Sequence, residues 1–357
     1  MSTRAGPRPW PSSARRSRNG WSAAREANVM SNGKYTLVEA VNLALHRAMR
    51  DDENVVVLGE DVGVNGGVFR ATLGLREAFG FKRVLDTPLA ETMLAGLSVG
   101  MAAQGLRPVV EIQFMGFVYA AMEHLVSHAS RLRNRTRGRL SCPMVLRTPM
   151  GAGIRAPEHH SESTEALFAH IPGLRVVVPS SPARAYGLLL AAIDDPDPVV
   201  FLEPTRLYRM NPQPVADDGR RLPLDSCFTL REGRDLTLVS WGASVHESLQ
   251  AAAALAERGI DAEVIDVACL KPLDLDTLEA SVRKTGRCVI VHEAPKSCAV
   301  GAEIAASLYE RVLPDLHAPI QRVAAPDIPP PLYRLEQFYL PGTGDILAAC
   351  ETVLDYA

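Results

Sequence analysis

The sequence predicts an α/β fold of two domains, each a mainly parallel sheet flanked by helices. Three observations carry this. Short apolar runs of strand length alternate with helix-length segments, the pattern of sheets covered on both faces. The alternation occurs twice, separated by a stretch rich in Pro, Arg and Asp that lacks periodicity. At 357 residues the chain is long enough for two cores. The expected division is a disordered basic extension over 1–33, a first domain over 34–205, a linker over 206–224 and a second domain over 225–357.

In the first domain, Thr36 and Glu39 have capping-box spacing, and Leu37, Val41, Leu45 and Met49 follow at helical intervals. The run 54–58 reads as a buried strand. It ends in Gly59-Glu60-Asp61 and a loop containing Gly63, Gly66 and Gly67. A helix is expected over 70–79 and a strand over 83–85. Next come a helix headed by Glu91, a strand over 108–114 and a long helix over 118–133 with a basic end. Strands over 144–146, 176–178 and 199–202 and a helix over 183–193 complete the domain. In the second, strands are expected over 236–240, 262–267, 288–292 and 320–324. Helices are expected over 244–257, 274–284, 301–313 and 343–354, the first with Ser244 and Glu247 at capping-box spacing.

Composition narrows the classes. A net charge of −3 gives no footprint for nucleic acid or an anionic membrane surface. No apolar run is long enough to span a bilayer. Six cysteines are scattered without a C-x-x-C pair, which fits reduced thiols better than a disulfide frame or zinc site. The first thirty residues hold six arginines and one acid, Glu26. They read as a disordered extension, with Met30 as an alternative start, rather than as an organelle transit peptide. A cytoplasmic location follows; a genuine transit peptide would mean the mitochondrial matrix.

Glu91 draws attention because the segment behind it is apolar on every side: Met93, Leu94, Ala95, Leu97, Val99, Met101. Such a helix is expected to be buried, and an acid entering a core needs a partner. Glu91 is therefore capped by backbone amides or faces a ligand, and local sequence leaves both open. In parallel sheets ligands sit at the carboxyl ends of strands. Glu60, Glu91, Gln113, Phe117 and the His159-His160 loop all fall at such ends.

Other patterns are weaker. Gly151-Ala152-Gly153-Ile154-Arg155-Ala156 has dinucleotide-fingerprint spacing, but Pro157 stops the helix that motif requires, so a loop is the better reading. His159 and His160 are adjacent and lack a third ligand, which disfavours a metal. They form a solvated loop, or one imidazole serves a bound substrate. Phe114 and Phe117 read as core, though one can face a flat ligand. Asp194, Asp195 and Asp197 form a solvated helix end or hold a cation together with carbonyls.

Longer strings point further. T-P-L-A-E at 87–91, E-I-Q-F-M-G-F at 111–117, H-S-E at 160–162 and P-G-L-R-V-V-V-P-S-S-P at 172–182 occur in order. So do D-P-V-V-F-L-E-P at 197–204, V-S-W-G-A-S-V-H-E at 239–247, V-I-D-V at 264–267, K-T-G-R at 284–287 and H-E-A-P at 292–295. Together they resemble the β subunit of the E1 component of 2-oxo acid dehydrogenase complexes, pyruvate and branched-chain types alike.

The resemblance implies a thiamine pyrimidine-binding domain followed by a transketolase C-terminal-like domain. It implies thiamine diphosphate shared with an E1 α subunit in an α2β2 assembly, a 2-oxo acid substrate, and transfer of the acyl fragment to the lipoyl group of an E2 acyltransferase. It implies that Glu91 bonds N1′ of the aminopyrimidine, that Phe117 stacks on that ring, and that Glu60 and Gln113 line the pocket. His160 falls at the loop histidine near substrate and lipoyl group. Ala192, Ile193, Asp195 and Asp197 fall at a structural potassium site, with Cys142, Met144 and Val145 as additional members.

A G-D-G…N segment for Mg²⁺ and diphosphate is missing; Gly342-Thr343-Gly344-Asp345 lacks its context, so the α subunit is expected to supply that half. Met93 stands where relatives commonly have glycine, a change that would narrow the pocket or shift the helix. The rival readings are an acetoin dehydrogenase-type or other thiamine-enzyme β subunit, and a non-catalytic scaffold paralogue.

Overall fold

The computed structural model describes residues 33–210 and 212–356. The expected extension, and the question of Met30, lie outside the described residues. A seven-stranded sheet runs in the spatial order Cys269–Lys271, Arg175–Val177, Val199–Pro204, Val145–Met150, Arg107–Glu111, Val55–Gly59, Val84–Asp86. All its pairings are parallel except the outermost, where Cys269–Lys271 runs antiparallel to Arg175–Val177. A five-stranded sheet has the order Gln321–Ala325, Cys288–Pro295, Leu236–Ser240, Ala262–Asp266, Phe228–Arg231, again with one antiparallel edge. Helices cover both sheets, as apolar strands with no polar face require.

Two features differ from a plain pair of domains joined by a free linker. Gln213–Val215, inside the 206–224 stretch, pairs antiparallel with Gly33–Tyr35. The strand Cys269–Lys271, from the second half of the chain, completes the first sheet. Strands of three residues carry no readable periodicity, and each forms only because a partner edge is already in place.

The capping box at Thr36 forms: its side chain accepts from the Glu39 N–H, and the Glu39 carboxylate accepts from the Thr36 N–H. The one expected at Ser244 does not. Glu247 instead takes both guanidinium nitrogens of Arg206, at 2.6 and 3.1 Å. A partly buried arginine outweighs a cap, because charge-assisted bidentate pairing is stronger than a bond to one N–H. The helix expected over 70–79 is confined to Leu75–Phe79, because Arg70 and Gly74 adopt left-handed backbone, with φ of 70° and 80°. The strand expected to reach Phe114 ends at Glu111.

The helix expected over 118–133 is broken into 3₁₀ turns over Met115–Ala121 and Ala129–Arg131, a π turn over His124–His128 and an α turn over Leu132–Arg135. It packs on the Glu91–Ala103 helix, where the Thr92 hydroxyl donates to the Ala120 carbonyl at 2.7 Å and Gly96 meets the His124 ring. A side chain that claims a helix carbonyl, together with close packing, displaces the regular ladder.

The first sheet is clamped at its centre. Arg147 is 1% exposed and pairs with Glu203, at 2.7 Å through two nitrogens, and with Glu111. The Tyr208 hydroxyl donates to Glu203. Removing one member of such a set strands the others without water. Replacing Arg147 by methionine should cost about 3–5 kcal/mol of stability, measured by chemical denaturation. A loss under about 1 kcal/mol would show that the carboxylates are rehydrated and the clamp is dispensable.

Candidate functional site

Register brings the site together. Gly59 pairs with Asp86 on one side and Glu111 on the other, and Glu111 pairs with Arg147. The carboxyl ends of three strands therefore lie level, and Val145–Met150 runs three residues beyond them.

Glu60 follows the first of these strands and is buried. Its Oε1 has no hydrogen-bond partner. Burial raises its pKa, the charge of Glu91 raises it further, and a backbone N–H at Ala90 opposes both. The two acids thus face one space. The Gln113 amide donates to the Glu60 carbonyl at 3.4 Å. The turn after Glu111 presents Phe114 and Phe117, whose rings lie edge to face at 6.0 Å. His160 sits against both, 3.9 Å from Phe114 and 5.5 Å from Phe117 between centroids. Its Nδ1 is buried without a partner.

The loop 151–162 reaches these rings because Gly116 has no side chain: a Cβ there would strike the His159 carbonyl. The Tyr119 hydroxyl donates to Glu162 at the end of the same loop. Two groupings thus meet at Gln113: Glu60 with Glu91, and Phe117 and Phe114 with His160. Phe114, read from sequence as core, contributes as much ring as Phe117, with Phe69 edge-on behind it at 5.4 Å.

The helix behind Glu91 corrects the expectation of complete burial. Leu94, Ala95, Ser98 and Ala102 are buried, but Met93 and Leu97 are 41% and 43% exposed. Met93 therefore faces outward rather than into the core. An apolar face four residues in period, beside an acid pair, is a surface that sequence hydropathy cannot distinguish from core.

Ala192, Ile193, Asp195 and Asp197 lie away from the acid pair, at the end of Pro182–Asp194. The Asp195 carboxylate accepts from the Asp197 N–H at 2.8 Å and pairs with Arg175 at 2.9 Å. Asp197 pairs with Arg133 at 2.6 Å, and the Ile193 carbonyl accepts from Arg107 at 2.8 Å. The Cys142 N–H donates to the Pro196 carbonyl at 3.1 Å, so the two segments adjoin. Among the described residues no group of three His, Cys, Asp or Glu is arranged to hold a metal ion. Asp345 accepts from the Gly342 N–H at 2.8 Å and serves as a helix cap.

A second set of buried and partly buried groups went unnoticed in sequence, though the strings at 239–247 and 292–295 contain Trp241, Glu247, His292 and Glu293. Arg206 is divided between Glu247 and Glu293. The Trp241 indole donates to Glu165 at 3.1 Å and stacks on His292. Burial pushes His292 down to about 4. Burial pushes Glu293 up to about 7, against the pull of Arg206 and with help from Glu247 and Glu165.

The folded chain therefore keeps the Glu293 proton to about pH 7, whereas the unfolded chain releases it near 4.5. The stability linked to it is full below the lower value and lost as pH rises through the upper. Between about pH 5 and pH 8, Glu293→Gln should lose less stability than the parent, by up to about 3 kcal/mol. Parallel pH profiles of thermal unfolding for the two proteins would contradict this.

The description of the transketolase pyrimidine-binding domain matches residues 33–211, and that of the transketolase C-terminal domain matches 226–346. The pyruvate dehydrogenase E1 component subunit beta of Bacillus subtilis (strain 168) is 47% identical over 321 residues, covering 90% of this chain and 99% of that protein. Its counterpart in Acholeplasma laidlawii is 48% identical over 313 residues, covering 88% and 96%. A solved structure described as a split gene transketolase, inactive beta4 tetramer, superposes with a TM-score of 0.72. At 23% identity, covering 91% of this chain and 99% of that one, it is a likeness of fold.

Proposed function

The chain belongs to the transketolase-like family of pyruvate dehydrogenase E1 β subunits, and from that premise we propose that it is the β half of a thiamine diphosphate-dependent 2-oxo acid dehydrogenase acting on pyruvate. The observation that carries this is the pair of neighbouring acids Glu60 and Glu91, with Gln113 bonded to Glu60 and the rings of Phe114 and Phe117 on the same strand-end turn as Gln113. An orphaned buried carboxylate oxygen beside a second acid and flat rings fits a heteroaromatic ring that exchanges a proton. When bound, thiamine diphosphate supplies the carbanion chemistry that side chains lack.

The chain's residues do the rest. Burial and the neighbouring charge of Glu91 oppose ionisation of Glu60. Glu91 would be the acid that bonds the pyrimidine nitrogen N1′ of the bound cofactor. Phe117 offers its face to the ring, and Gln113 and Glu60 close the pocket. His160, on the loop at its mouth, neutralises charge on the 2-oxo acid and meets the incoming lipoyl group.

The diphosphate and Mg²⁺ are assigned to an α subunit, in an α2β2 assembly. The exposed apolar face carrying Leu89, Met93 and Leu97 supports a protein partner beside Glu91. With the Asp195 and Asp197 carboxylates engaged by arginines, a potassium ion at this position would rest chiefly on carbonyls such as that of Ala192, beside Cys142, Met144 and Val145. The lipoyl domain and E2 acyltransferase complete the partner set. The domain boundaries proposed are 34–205 and 225–357.

In the assembled α/β pair, Glu91→Gln should lower kcat at least about 100-fold while thermal unfolding stays near that of the parent. Undiminished CO2 release would remove Glu91 from the chemistry. The chain without its α partner should release no CO2 from any 2-oxo acid, and adding the partner should restore it. With the pair in hand, pyruvate should be turned over ahead of branched-chain 2-oxo acids, with reduction of lipoyl groups. Acetoin turnover instead, or thiamine diphosphate binding without CO2 release, would favour the acetoin-type or the scaffold reading.

A further inference from the structure

The loop that carries His160 is closed at its base by its own backbone, the Gly151 N–H donating to the Glu162 carbonyl at 2.8 Å. Its stem is held from elsewhere. Gly151, Gly153 and Arg155 have φ of 85°, 100° and 60°. Left-handed residues at alternate positions turn N–H groups to one side and form an anion-binding concavity. The occupant is a side chain of the second half of the protein. Glu336 accepts the Gly153 N–H at 2.9 Å through Oε1, and the Arg155 N–H at 3.1 Å through both oxygens.

The contact is built rather than incidental. Glu336 is only 6% exposed, although its neighbours Leu335 and Phe338 are exposed. Around it, Ala152 packs with Ala325 and Tyr339, and Gly153 lies against Arg206 with no room for a side chain. A buried carboxylate satisfied by loop amides stabilises one loop conformation and disfavours the rest, because leaving it unpaired is costly. The far end of the same loop presses the His159 carbonyl onto Gly116 and sets His160 edge-on to Phe114 and Phe117.

We propose that Glu336 is a positioning residue for His160: through the amides of Gly153 and Arg155, the second domain holds the 151–162 loop in the conformation that places the imidazole at the aromatic wall. This rests on the reading that His160 serves the substrate. Glu336 touches neither substrate nor cofactor and acts only through the loop.

The test uses the assembled α/β holoenzyme as wild type, Glu336→Gln and Glu336→Asp. The exposed Arg155 offers a tryptic bond within the held segment, so cleavage after it, followed by mass spectrometry, reads loop release independently of activity. For Glu336→Gln, loss of a charge-assisted bond set should speed this cleavage about tenfold. It should lower kcat about tenfold, with KM for the 2-oxo acid changing less. Glu336→Asp should fall between the two.

Cleavage within roughly twofold of wild type overturns the proposal, and so does faster cleavage with kcat unchanged. If Glu336→Gln fails to assemble, amide exchange in the wild-type holoenzyme decides. Protection of the Gly153 and Arg155 N–H groups comparable to the neighbouring sheet supports the hold; exchange at the rate of a free peptide overturns it. A wild-type pair inactive toward every 2-oxo acid would sink the functional reading, while cleavage and exchange would still report on Glu336.

Discussion

The buried guanidinium of Arg147 organises the first sheet. It joins Glu111 and Glu203, which lie on the two strands flanking its own. The three neighbouring strands are thereby locked in register, and a slip of one residue would turn every side chain to the opposite face. The glycine-rich loop after Glu60 also settles on this clamp, with Gly67 close against the Glu111 carboxylate. Two of the segments proposed to act continue from the clamped strands: Gln113 lies two residues past Glu111, and the His160 loop follows Met150.

The two halves of the chain are more dependent on each other than a two-domain description implies. The second half lends a strand to the first sheet and accepts Arg206 onto Glu247 and Glu293. It also secures the histidine loop through Glu336. A site resting on contributions from both halves can be sensitive to changes far along the chain, since loops owe their conformation to what packs on them.

Much of this was legible beforehand. The strand–helix alternation located the long elements, and the strand-end rule grouped Glu60, Glu91, Gln113, Phe117 and the His160 loop. The failures have specific causes. Ser244-x-x-Glu247 satisfies a local rule, but Arg206 lies 41 residues away in sequence and claims the carboxylate. The apolar stretch after Glu91 reads as core, although Met93 and Leu97 lie on an open face. The 118–133 segment has helical composition, yet packing on the Glu91–Ala103 helix divides it into irregular turns.

By itself the sequence determined the fold class, the long helices and strands, and the family, because these depend on periodicity and on ordered strings of residues. Tertiary structure alone decided which polar groups meet: Glu60 beside Glu91, Arg147 between two acids, Glu336 on the amides of a loop some 180 residues earlier. Hydropathy records whether a residue leaves water. The identity of its partner depends on register and on the close approach of distant segments, which no local pattern encodes.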